Sequence, residues 1–92
     1  MPNRELITVV HCEVDPGGAP LLSSCREYRN VESREEAFEV AMRMVQARLE
    51  EEKIHTIPSA IEYVLRRYGK FSMRSEDGTG WAVIIFAPHF ME

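Results

Sequence analysis

The strongest constraint on the fold is a run of seven residues, 81–87 (WAVIIFA), in which every side chain is apolar. Successive side chains of a β-strand point to opposite faces, so both faces of this strand need to be shielded from water. The run therefore predicts a fully buried strand at the centre of a sheet. The rest of the 92-residue chain supplies a good cover for one face only. We expect the second face to meet a partner chain, a ligand or another part of the protein.

Three further strands are predicted from residue types and turn signals. Residues 5–14 are rich in β-branched side chains, which favour a strand. The sequence DPGGAP at 15–20 predicts a turn, and a weaker, more polar strand follows over residues 21–28. Residues 71–76 alternate between apolar and polar types, and the Asp-Gly pair at 77–78 predicts a hairpin into the last strand.

Two amphipathic helices are predicted between the two strand pairs. The sequence SREE at 33–36 is a capping box, and the apolar residues that follow it recur at helical spacing to about residue 52. A second helix is expected between Pro58, which suits a first helical turn, and Gly69, which suits the position just after a last one.

These elements predict a single α+β domain over residues 1–92 with the order β-β-α-α-β-β. Short connections make the two strands of each pair antiparallel. If the two most apolar strands, the first and the fourth, lie side by side, the sheet is four-stranded and antiparallel with the spatial order 2-1-4-3. Both helices then cover one face of this sheet.

Alternation within the last hairpin predicts which side chains meet the helices. With a two- or four-residue loop around residues 77–80, Phe71 and Met73 share a face with the even-numbered residues of the last strand. The set expected to meet the helices is then Leu6, Thr8, Val10, Cys12, Val14, Phe71, Met73, Ala82, Ile84 and Phe86. The set expected to point outward is Ile7, Val9, His11, Glu13, Ser72, Arg74, Trp81, Val83 and Ile85.

The predicted outer face carries an apolar patch larger than monomers usually expose. We favour a twofold homodimer in which two such faces pack together, because twofold symmetry is the commonest form of oligomer. The alternatives are that residues 89–92 fold across the patch or that the patch binds a ligand. A ligand site there is expected to be rimmed by His11, Glu13, Arg26, Tyr28 and Arg74.

Composition and motifs argue against several classes of function. The net charge of −4 does not suit a nucleic-acid-binding protein. No apolar run approaches the roughly 20 residues of a membrane span, and the polar N-terminus does not resemble a secretory signal, so we expect a cytoplasmic protein. Neither a Cys-x-x-Cys nor a His-x-x-x-His spacing occurs, so no metal site is expected, and no motif indicates a cofactor.

Three groups of polar or reactive side chains each have two interpretations. Cys12 and Cys25 face each other across the first hairpin in one register, either as reduced core thiols, which we favour, or as a redox pair. The consecutive carboxylates at 50–52 fan around a helix, so they are expected to be solvated rather than to bind a cation. A basic cluster either contacts a phosphate or acidic partner or complements a helix dipole; its members are Arg66, Arg67, Lys70 and Arg74.

Three functions are compatible with these patterns, and we favour a binding module over an enzyme. The first is a non-catalytic interaction module that acts as a homodimer through its open sheet face. The second is a domain that binds a cationic or aromatic small molecule in a cavity lined by Glu13, Tyr28, Tyr63, Tyr68 and Trp81. The third is a small enzyme in which Glu13 orients the imidazole of His11, two residues away on the same strand face.

Overall fold

The structure is a computed structural model that describes residues 7–86. It contains two helices and an antiparallel sheet, which confirms the predicted α+β class. In chain order the elements are β1 (Ile7–Val14), β2 (Pro20–Val31), α1 (Arg34–Glu51), α2 (Pro58–Tyr68), β3 (Lys70–Arg74) and β4 (Gly80–Phe86). The alternative that residues 89–92 cover one face lies outside the described residues.

The hydrogen-bonded order of the strands is β2-β1-β4-β3, so β1 and β4 lie at the centre and β2 and β3 form the edges. β1 and β4 pair without interruption along their length. The pairing of β1 with β2 is less regular, because the register shifts on both sides of the pair formed by Cys12 and Cys25. β2 is also longer than predicted, so the sheet differs in detail from four regular strands.

Residues at the ends of the helices account for where α1 begins and where α2 begins and ends. The Ser33 hydroxyl accepts a hydrogen bond from the Glu36 amide at 3.1 Å, which satisfies one free N–H group at the start of α1. Pro58 occupies the first turn of α2, where its missing N–H group breaks no hydrogen bond. α2 ends at Gly69, whose backbone is left-handed (φ 72°) and donates to the Leu65 carbonyl. Neither α1 nor α2 is long and apolar enough to cross a membrane.

The two helices pack against the face of the sheet that was predicted to point outward. Five residues of that set are buried in one hydrophobic core with both helices: Ile7, Val9, Trp81, Val83 and Ile85. The helix residues of this core include Phe38, Ala41, Met44, Val45, Leu49, Ile61 and Leu65. The predicted orientation of the sheet is therefore wrong, and this face is closed to a second copy or a ligand.

The cause is the length of the turn between β3 and β4. Arg74 lies opposite Gly80, so the turn contains five residues, 75–79. An odd number of turn residues reverses the alternation that a two- or four-residue loop produces. Phe71 consequently lies opposite Val83 and shares its face, and the even-numbered residues of β1 and β4 point away from the helices.

Hydrogen bonds within the turn stabilise this longer form. The Ser75 N–H donates to the Thr79 carbonyl at 2.8 Å and closes the turn. The Asp77 carboxylate accepts from the Thr79 N–H at 3.0 Å and from the Thr79 hydroxyl at 2.6 Å. The Asp-Gly pair therefore lies inside a five-residue turn instead of forming a two-residue hairpin loop.

Val83→Asp is expected to unfold the protein. Val83 is fully buried in the core, so the substitution places a carboxylate among apolar side chains. The expected cost of about 4 kcal/mol or more approaches the whole stability of a small domain. The matched control is Phe86→Asp, on the same strand but on the opposite face, where the side chain is exposed and the protein should stay folded. Circular dichroism during urea titration measures the free energy of unfolding of both variants. A stable Val83→Asp protein would contradict the orientation of the sheet.

Candidate functional site

The structure separates the nine predicted site residues into three groups. Four are core residues beneath the helices: Ile7, Val9, Val83 and Ile85. Three lie together at the margin of the same face, near the end of α1: His11, Glu13 and Trp81, whose ring also belongs to the core. Tyr28 and Arg74 lie on the opposite face, which we call the distal face because neither α1 nor α2 packs on it.

His11, Glu13 and Trp81 come together around Arg48, which the sequence did not single out as a site residue. The Arg48 guanidinium donates to the Glu13 carboxylate at 3.1 Å and to the Glu52 carboxylate at 2.7 Å. It also lies 3.3 Å from the His11 Nε2 atom and 5.3 Å from the centre of the Trp81 ring. The Trp81 indole N–H donates to Glu52 at 3.2 Å. We call these five residues the Arg48 cluster.

Regular spacing within each element assembles the Arg48 cluster. His11 and Glu13 are two residues apart on β1 and therefore share a face, and Trp81 lies opposite Glu13 on β4. Arg48 and Glu52 are four residues apart at the end of α1, so they lie on one side of that helix. This i,i+4 pair is the sequence signal that points to the cluster, whereas the run of carboxylates at 50–52 by itself predicts only a solvated helix end.

Burial favours the neutral form of the His11 imidazole. The pKa of His11 is lowered from its usual 6.5 by burial first and then by the charges of Arg48 and Arg26, while Glu13 and Glu27 act in the opposite direction. A guanidinium can only donate, so its contact with Nε2 makes that nitrogen the acceptor and places the proton on Nδ1.

The Arg48 cluster is arranged to hold the end of α1 on the sheet. Arg48 binds the Glu13 carboxylate, so this carboxylate does not orient His11 as a catalytic dyad requires. Within residues 7–86, every buried side-chain nitrogen or oxygen atom has a hydrogen-bond partner. The cluster is thus satisfied by its own members, and its geometry does not support an enzyme that uses His11 and Glu13.

The distal face has an apolar centre between more polar edges. Its central residues, which are buried or half-buried, are Val10, Cys12, Val14, Ala82 and Ile84. Its edge residues are exposed, and they are Tyr28 and Asn30 on β2 and Lys70, Ser72 and Arg74 on β3. An apolar floor with a few polar groups beside it is the usual construction of a ligand site.

A cavity of about 320 Å³ lies on the distal face between β3 and the turn that joins β1 to β2. Its floor is formed by Val14, Ala82 and Ile84. One wall consists of Lys70, Ser72 and Arg74, and the other consists of Gly17, Gly18 and Pro20. We call this cavity the β3 groove. It is larger than the cavity of about 160 Å³ that lies between His11 and α1.

The lining of the β3 groove is positively charged. Lys70 and Arg74 form no ion pair with any carboxylate in residues 7–86, and the described lining contains no acidic side chain. Arg66, which the sequence placed in the same basic cluster, is instead bound to Glu35 at 3.2 Å and to Glu62 at 2.9 Å. The structure therefore divides that cluster and leaves two of its cations facing the groove.

Two glycines allow the walls and floor of the β3 groove to approach each other. Gly18 has a left-handed backbone (φ 91°), and a Cβ atom there would lie 2.6 Å from the Arg74 guanidinium. At Gly80 a Cβ atom would lie 2.5 Å from the Met73 carbonyl oxygen and 2.9 Å from the Val14 side chain. A larger residue at either position would displace a part of the groove.

The candidate site is identified from the shape and lining of the structure, because neither metal ligands in the described part of the chain nor related proteins point to one. Within residues 7–86, no group of three or more His, Cys, Asp or Glu side chains is arranged to hold a metal ion. No protein-family model, curated protein or solved structure matches the chain. The β3 groove, with its apolar floor and two cations, is the part of the described structure best suited to bind a ligand.

The free energy of unfolding is expected to fall as the pH is lowered below about 6.5, in part because of His11. The pKa of His11 is lower in the folded protein than in the unfolded chain, so the unfolded chain takes up the proton first. Stability is therefore lost from pH 6.5 down toward the folded pKa.

Substitution separates this contribution from that of other groups. His11→Gln removes the titration and should flatten the dependence of stability on pH between about 7 and about 5.5. His55→Gln, in the exposed connection between the helices, is the matched control for the replacement of a histidine by glutamine, and it should leave the free energy of unfolding at pH 7 unchanged. Urea titrations at several pH values measure the slopes, and equal slopes for the original protein and His11→Gln would contradict a neutral His11.

Proposed function

We propose that this chain is a non-catalytic binding module that holds a small organic anion with an apolar body in the β3 groove. The observation that carries the proposal is that two cations without an ion-pair partner in residues 7–86 flank an apolar floor. The cations attract a negatively charged group, while hydrocarbon can cover the part of the Ile84 side chain that is still exposed in the floor. A volume of about 320 Å³ is at the lower end of the range for small-molecule sites.

The sign of the charge favours an anion over the cationic ligand that the sequence suggested. That expectation rested on Glu13 and Trp81, which belong instead to the Arg48 cluster on the other face of the sheet. Tyr63 and Tyr68 are exposed on α2 and do not line the β3 groove. A cationic ligand in this groove would meet only like charge among the charged residues described there.

Arg74 is the residue best placed to bind the anionic group. Its guanidinium lies against Gly18, which positions it at the wall of the groove. A guanidinium presents paired N–H donors that match the two oxygens of a carboxylate. Ser72 adds a hydroxyl on the same face of β3, two residues away. Lys70 is about 13 Å from Arg74 along the strand. It therefore attracts the anionic group from a distance and does not contact it together with Arg74.

Calorimetric titration with octanoate and octylammonium tests the proposal, because the two probes share a hydrocarbon chain and differ in the sign of their charge. Octanoate is expected to bind and octylammonium is not. Arg74→Gln should weaken octanoate binding about tenfold, the loss of about 1.4 kcal/mol expected for one charge-assisted hydrogen-bonded pair. Lys70→Gln should weaken it less.

Arg43→Gln provides the matched control, because it removes the same charge from an exposed position on α1. Binding of octanoate should be unchanged in this variant. Equal binding of the two probes, or equal losses in Arg43→Gln and Arg74→Gln, would contradict a specific anion site in the β3 groove.

A homodimer that forms through the distal face is the second candidate. Two aromatic side chains favour it, because Phe86 is 42% exposed and Tyr28 is 65% exposed on this same face. Exposed aromatic residues are enriched in protein interfaces, and a twofold axis would place each face against its copy. This candidate retains the interaction module that the sequence suggested and moves its contact surface to the other side of the sheet.

Sedimentation velocity over a range of concentrations tests the dimer. The original protein is expected to sediment as a dimer at high concentration, and Phe86→Asp is expected to sediment as a folded monomer. The control is Tyr63→Asp, which introduces the same charge at an aromatic residue on α2 that is 62% exposed, and it should leave the dimer intact. A monomer at every concentration of the original protein would rule out this assembly.

A further inference from the structure

The two cysteines of the chain are placed directly opposite each other on the distal face. Cys12 of β1 and Cys25 of β2 are register partners in an antiparallel pair, and both are free thiols. Directly opposed residues of antiparallel strands have Cα atoms about 4.5–5.5 Å apart. This separation lies within the roughly 4.4–6.8 Å that a disulfide bond spans.

The pairing of β1 with β2 is irregular around Cys12 and Cys25, so these two residues can shift slightly relative to each other. The register of β1 with β2 shifts between His11 and Cys12 and again between Cys12 and Glu13. Glu13 lies opposite Leu21, so residues 22–24 of β2 have no partner in β1. A bulge of this kind bends a strand and relaxes its pairing, and a small movement of either cysteine therefore breaks few ladder hydrogen bonds.

The two thiols differ in their access to solvent. Cys12 is fully buried, whereas Cys25 is half-buried at the β2 edge of the sheet. The pKa of Cys12 is raised by burial first, with smaller contributions from the neighbouring Cys25 and Glu13. A reagent in solution therefore reaches the Cys25 thiol first. The Cys12 thiol is less accessible because it is buried.

We propose that Cys12 and Cys25 form a reversible intramolecular disulfide by exchange with a small-molecule disulfide such as oxidised glutathione. The Cys25 thiolate attacks one sulfur of oxidised glutathione, and one glutathione thiolate leaves. The Cys12 thiol then loses its proton and attacks the Cys25 sulfur, and the second glutathione thiolate leaves. The two cysteines are oxidised, oxidised glutathione is reduced to two thiols, and the two cysteine protons end on those thiols.

The cross-link would restrain one wall of the β3 groove. It closes the chain from residue 12 to residue 25, which contains the turn with Gly17 and Gly18. Closing a loop of this length lowers the conformational entropy of the unfolded chain, so the oxidised protein should melt about 12–24 °C higher than the reduced protein. The proposal rests on the pairing of β1 with β2 and does not require a ligand in the groove.

Mass spectrometry of the folded protein after incubation with oxidised glutathione tests the inference. The expected product has lost the mass of two hydrogen atoms, resists alkylation by N-ethylmaleimide, and returns to two alkylatable thiols after dithiothreitol. Cys12→Ser should accumulate glutathione on Cys25, because the second step is lost. Cys25→Ser should react at least tenfold more slowly, because Cys12 is buried.

A parallel incubation in urea shows whether the fold aligns the two thiols. The equilibrium between the mixed disulfide and the internal disulfide should favour the internal form at least tenfold more in the folded protein than in the unfolded chain. Accumulation of the mixed disulfide on Cys25 of the folded protein, a disulfide-linked dimer, or no preference over the urea sample would overturn the inference.

Discussion

Trp81, Val83 and Ile85 of β4 pack against α1 and α2, and this contact joins the sheet to the helices. β4 is apolar on both faces, so hydrophobicity alone does not choose which face meets the helices. The five-residue turn at 75–79 makes that choice, because it brings Phe71 to the same face as the odd-numbered residues of β4. The core, the Arg48 cluster and the distal face all follow from this one register.

The two faces of the sheet consequently have different roles. The face beneath the helices holds the core, and its polar margin is closed by Arg48, whose guanidinium binds Glu13 and Glu52. The distal face combines buried apolar residues with Lys70 and Arg74, for which the described chain provides no carboxylate partner. Cations without an ion-pair partner in residues 7–86, beside an apolar floor, are the main support for the binding site that we propose on this face. The opposed pair Cys12 and Cys25 lies on the same face.

Polar residues that suggest chemistry in the sequence acquire other roles in the structure. His11 and Glu13 look like a catalytic pair, yet each contacts Arg48, and burial favours the neutral form of His11. Arg66 looks like a member of a basic patch, yet its guanidinium binds Glu35 and Glu62 and lies 4.5 Å from the centre of the Phe38 ring. In both cases a contact with a residue distant in sequence determines what the side chain does.

The helices and strands were predictable from the sequence, including the capped start of α1 and the end of α2 at Gly69, because the signals for them act between residues close in the chain. The sequence also predicted two alternating sets of side chains on β1 and β4. Which set is buried beneath the helices became clear in the folded protein, because one residue more or less in the turn at 75–79 exchanges the two sets. The Arg48 cluster and the β3 groove likewise depend on contacts between residues far apart in sequence, which the residue patterns along the chain did not specify, whereas the pairing of Cys12 with Cys25 is one of the registers that the first hairpin allowed.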